Sequence, residues 1–140
     1  MTAHFLLLPV DARVAQWLRE LAIQPPNGHG REPSLDEVAT AVGLKLDPPL
    51  PLTTQLGSEA TPTELHLRPG SVGVEVSFRG GAVGTLIRIG VRLAQSCGPQ
   101  CLFEAGGTGP VVIAPGDSLE DLIGRWLEEA TPHPSGRSGA

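Results

Sequence analysis

Between Val72 and Ala105 the hydrophobic period of the chain switches from two to about 3.6 and back, and nothing else in the sequence restricts the fold so strongly. Val72, Val74, Val76 and Phe78 alternate with Gly73, Glu75 and Ser77, as in a strand with one buried face. After Arg79-Gly80-Gly81, the residues Leu86, Ile89, Leu93 and Cys97 fall three or four apart, with Gly90 and Ala94 beside them. Arg88, Arg92 and Gln95 take the opposite side, which predicts an amphipathic helix closed by Gly98. A second strand, Gln100 to Glu104, follows at once. The stretch therefore reads as strand–helix–strand, with its two strands parallel in one sheet.

The rest of the chain is read outward from this unit. Phe5-Leu6-Leu7-Leu8 is an uninterrupted apolar run, as expected of a central strand covered on both faces. Asp11 caps a helix whose apolar side is Val14, Trp17, Leu18, Leu21 and Ala22. Ser34-Leu35-Asp36-Glu37 has the form of a capping box and opens a short helix ended by Gly43. The prolines at 48, 49 and 51 exclude helix, so Leu44 to Pro62 is expected to be an ordered loop with a short edge strand at Leu52 to Leu56. Long loops in compact domains are often functional, which makes this one candidate surface.

Thr63 to Leu67 alternates, with Leu65 and Leu67 on one side and Glu64, His66 and Arg68 on the other. Arg68-Pro69-Gly70-Ser71 is a turn that joins this strand to Val72–Phe78 as a hairpin. Gly106 to Pro110 is a second turn, and Val111-Val112-Ile113 a short strand that hairpins with the one before it. Asp117-Ser118-Leu119-Glu120 opens a last helix, with Leu119, Leu122, Ile123, Trp126 and Leu127 as its buried side. The tail from Thr131 to Ala140 is expected to be disordered.

Without the short helix and the C-terminal additions the order is β-α-β-β-α-β. The expected class is α+β, with a ferredoxin-like split βαβ sheet and helices on one face. One domain over 1–130 accommodates all of it.

Composition narrows the functional classes. Fifteen acidic against ten basic residues give a formal net charge of −5, which opposes a general affinity for nucleic acid or an anionic membrane. It leaves room for a protein partner, basic by charge complementarity. No apolar run approaches the roughly 18 residues a membrane helix needs, and the N-terminus lacks a basic signal region. A cytoplasmic location follows as the expectation. One lysine among ten basic residues, with abundant Ala, Gly and Pro, is what a GC-rich bacterial genome encodes.

The candidate chemistry is sparse. Cys97-Gly98-Pro99-Gln100-Cys101 has three intervening residues and sits at a helix end, whereas redox pairs need two and a helix start. Its cysteines read as small hydrophobes. His4, His29, His66 and His133 have no partner at metal-ligand spacing. Gly106-Gly107-Thr108-Gly109 leads through Pro110 into a strand, so it reads as a turn and not as a phosphate cradle. Ser34 to Leu44 resembles the first helix and turn of helix-turn-helix DNA-binding proteins, but the following prolines forbid a recognition helix. No catalytic residue, metal or cofactor is expected.

Two functional expectations remain. The first is a non-enzymatic protein-binding module; in size and charge the chain resembles immunity proteins that neutralise a partner. Its contact surface would be a polar, acidic sheet face carrying Glu64, His66, Glu75, Ser77 and Glu104, with Asp47 in the nearby loop. The second is a small-ligand binder or enzyme whose pocket lies between sheet and helices near Trp17 and Trp126.

Overall fold

The computed structural model describes residues 3–57, 62–107 and 109–130, with side chains up to residue 127. The tail expected to be disordered lies outside these residues. Six strands form one antiparallel sheet: β1 (His4–Pro9), β2 (Leu52–Leu56), β3 (Thr63–Pro69), β4 (Val74–Arg79), β5 (Gln100–Glu104) and β6 (Val111–Ile113). Four helices accompany it: α1 (Ala12–Glu20), α2 (Leu35–Val42), α3 (Val83–Cys97) and α4 (Leu119–Ala130). The spatial order is β2-β3-β4-β1-β5-β6. That order is not the four-stranded ferredoxin-like one expected, because β2 and β6 extend the sheet at its two edges.

β1 is central and antiparallel to both β4 and β5. The two strands joined by α3 therefore run in the same direction without pairing, since β1 lies between them. Both expected hairpins form, β3 with β4 and β5 with β6. β4 begins at Val74, two residues later than the alternation suggests. Val72 belongs to the turn and is 87% exposed. Its N–H and that of Gly73 donate to Glu32 Oε1 at 2.9 Å each, a partner the local pattern cannot reveal.

The main core lies between one face of the sheet and helices α2, α3 and α4. From the sheet come Phe5, Leu7, Leu65, Leu67, Val76, Phe78 and Leu102. From the helices come Val38, Leu86, Ile87, Leu93, Leu122 and Trp126. Burying a Leu, Ile or Phe fully contributes about 1.5–3 kcal/mol each. α3 supplies seven buried residues over fifteen and is the main brace of the sheet.

Helices do not keep to one face. Val10, Ala15, Leu18 and Cys101 form a second cluster, with Val14, Trp17, Ile23 and Val112 packed against it. α1 thus covers the opposite side of the sheet at its β5–β6 end. The reason lies in β5 and β6: their outward residues Cys101 and Val112 are apolar and need a cover.

Candidate functional site

The side of the sheet away from α2, α3 and α4 is divided. α1 shields the β5–β6 end and the β1–β4–β3–β2 end is open. The registers build this surface row by row. The middle row runs Phe103, Leu6, Ser77, His66, Thr53 across five strands. One flanking row pairs Arg68 with Glu75, and the other sets Gln55, Glu64, Arg79 and His4 side by side. Leu6, Ser77, His66 and Glu64 are half-buried, while Arg68, Glu75 and Arg79 are exposed.

His66 is fixed at both ring nitrogens. Nε2 lies 2.7 Å from Glu64 Oε1 and Nδ1 lies 3.2 Å from Thr53 Oγ1. The ring clips the edge strand β2 onto β3. Arg68 and Glu75 approach to 3.7 Å across the β3–β4 ladder, an exposed pair of small energetic weight. Along β3 the charges read Glu64 then Arg68, and along β4 they read Arg79 then Glu75. Opposite charges therefore adjoin both along the strands and across them. The sum over these four groups is zero, so the face is not the acidic one expected.

Glu64, His66, Glu75 and Ser77 share the open face, as their alternation implies. Glu104 does not. It stands directly opposite Phe5 in the β1–β5 register, which puts it on the helix side of the sheet, half-buried at the end of β5. The strand Gln100-Cys101-Leu102-Phe103-Glu104 is apolar on both sides because α1 covers one of them, so its pattern alone does not tell which side a residue takes. Asp47 is exposed in the loop between α2 and β2 and belongs to none of the strands. Arg68, Arg79, Thr53 and Leu6 complete the face. The alternation already carried Arg68, whereas Arg79, expected in the turn, ends β4, and the apolar run Phe5–Leu8 hid the side to which Leu6 turns.

Trp126 packs on Phe5 with ring centroids 5.9 Å apart, and Trp17 meets Phe103 edge-on at 5.2 Å. Phe5 and Phe103 face opposite sides of the sheet, so the two tryptophans do not share one pocket. The loop after α2 does form the edge strand β2, and Leu46, Leu50, Leu52 and Leu56 anchor it on the core. Cys97 and Cys101 are buried free thiols. Burial pushes the Cys97 thiol up and the Cys101 thiol to about 12, which leaves little reactive thiolate at neutral pH. Among the described residues no three of His, Cys, Asp and Glu gather as a metal site. None of their helices is long and apolar enough to cross a membrane. No protein-family model, curated protein or solved structure matches this chain.

Proposed function

We propose that the protein is a non-enzymatic, cytoplasmic protein-binding module that acts through the open β1–β4–β3–β2 half of its sheet, in the manner of an inhibitor or immunity-type protein. The observation that carries the reading is the alternation of Glu64, Arg68, Arg79 and Glu75 around a half-buried centre of Leu6, Ser77 and His66. A polar rim of alternating sign around a drier centre is the anatomy of a specific contact. It selects a partner with the inverse alternation and repels one with the wrong register. The chain's net charge of −5 adds a long-range attraction for a partner that is basic overall. For the fold we read the inner strands β3-β4-β1-β5 as a ferredoxin-like split unit with two added edge strands. Supporting this is the path of α3, which joins β4 to β5 while β1 lies between them.

The test uses tagged wild-type chain, the doubly reversed Arg68→Glu/Arg79→Glu variant, and Arg13→Glu on the exposed side of α1. A prey protein captured by wild type and by Arg13→Glu, lost with the double variant, and bound directly when purified supports the reading. Capture indifferent to the double variant overturns it. The same alternation also matches itself about a two-fold axis, so sedimentation of the pure chain is the second arm. A dimer that dissociates on charge reversal would assign the face to self-association and overturn the partner reading.

A further inference from the structure

Three helices begin with a side-chain cap and one does not. Asp11 accepts from the Val14 N–H, Ser34 from Glu37 and Ser118 from Asp121. α3 begins at Ala82, which has nothing to accept with, and its first turn holds no acidic residue. Among the described residues the N–H groups of Val83 and Gly84 have no partner. The turn before them is Gly80-Gly81, with φ +71° and +96°. A strand, a glycine turn and an open helix start together form a common cradle for anions.

A helix start alone does not make a site, but here it opens into a cleft of about 520 Å³ between α2, α3 and the β2–β3 hairpin. Val42, Leu56 and Ile89 give the cleft apolar lining, and Thr63, Thr85 and Arg88 give it polar groups. Thr63 is 3% exposed, and its hydroxyl makes no hydrogen bond among the described residues. It sits against Gly81, where a Cβ would collide with Oγ1. Thr85 and Arg88 lie three apart on α3, and helical side chains lean toward the N-terminus, so Arg88 reaches back over Thr85. The described ion pairs use Arg31, His66, Arg68 and Arg125. Arg88 makes none among the described residues, in a chain where acids outnumber bases. Arg92, one turn on, donates to the Ala41 carbonyl at 2.9 Å and pins the end of α2 to the cleft wall.

We infer that this cleft binds the oxyanion of a small organic molecule, a phosphate monoester or a carboxylate, whose apolar body lies on Val42, Leu56 and Ile89. The anion would take hydrogen bonds from the Thr63 and Thr85 hydroxyls, beside the positive end of α3. Arg88 supplies the charge. This site is separate from the open sheet face and stands independently of the partner reading.

The experiment titrates phenyl phosphate, benzoate, inorganic phosphate and neutral benzyl alcohol into the full chain in a phosphate-free buffer, followed by amide NMR and calorimetry. Shifts centred on Gly81 to Thr85 with phenyl phosphate or benzoate, and none with benzyl alcohol, are expected; the tighter of the two anions names the headgroup. Arg88→Gln is expected to weaken binding about tenfold. Ala82→Asp places a carboxylate where the anion sits, so it should abolish binding while leaving the protein folded and no less heat-stable. Shifts scattered over the surface, binding unchanged in both variants, or no response to either anion would overturn the inference.

Discussion

Helices α2 and α3 start in opposite ways. At α2 the Ser34 N–H donates to Glu37 Oε1 at 2.9 Å, and the Glu37 N–H donates to Ser34 Oγ at 3.1 Å. Arg31 then closes on both oxygens of Glu37, at 2.7 and 2.8 Å. At α3 no side chain caps the start. The difference follows from size. α2 has eight residues and buries only Val38 and Ala41, so it depends on its cap. α3 has fifteen and buries seven, including Leu86, Ile87 and Leu93, so core packing holds it whatever its first turn does. The longer helix is free to leave its positive end open.

The comparison breaks or sharpens in four measurements, from large effect to small. Gly81→Ala forces a side chain into φ +96° and onto Thr63, and should cost about 2 kcal/mol or more in urea unfolding. A loss below about 0.5 kcal/mol would mean that the turn before α3 needs no glycine. Ser34→Ala removes half of the α2 box and should cost about 1 kcal/mol. A loss below about 0.3 kcal/mol would mean that α2 does not depend on its cap.

Ala82→Asp supplies α3 with the cap it lacks, at a residue already extended (φ −86°, ψ 130°). It should stabilise by about 0.5–1 kcal/mol without ligand; a loss would show that the start of α3 is not an open cap. The smallest effect is in acid. Hydrogen bonds from Arg31 and the Ser34 N–H hold the Glu37 carboxyl at about 2 against the usual 4.5. A carboxyl lowered in the folded state stabilises fully above the unfolded value, and that stability drains as pH falls from 4.5 to 2. Glu37→Gln should flatten this part of the stability curve, most visibly at low salt because Glu37 is partly exposed. An acid limb that Glu37→Gln leaves unchanged would remove the Arg31–Glu37 pair from the account.

Much of the fold could be read beforehand where one side of an element is wet. Val74, Val76 and Phe78 alternate with Glu75 and Ser77, and all five lie on the sides their parity implies. The same holds for Glu64, His66 and Leu65 on β3 and for the Ser34–Glu37 box. Reading failed where both sides are covered. β1 and β5 are apolar on both faces, so the outward turn of Leu6 and the inward turn of Glu104 were hidden. The stripe on α1 was visible in Val14, Trp17 and Leu18, but not the side of the sheet it would cover.

By itself the sequence determined most local elements, the β3–β4 and β5–β6 hairpins, the side-chain caps of α1, α2 and α4 and the parity of β3 and β4, because sterics and hydrophobic period act between near neighbours. Tertiary structure decided the rest. Pairing β1 between β4 and β5 turned Glu104 inward, and α1 crossed to the far face to cover Cys101 and Val112. Packing α2, α3 and the β2–β3 hairpin together set Thr63 and Arg88, 25 residues apart, on one cleft. Such juxtapositions depend on which apolar surfaces meet, and long-range burial answers that question where local pattern is silent.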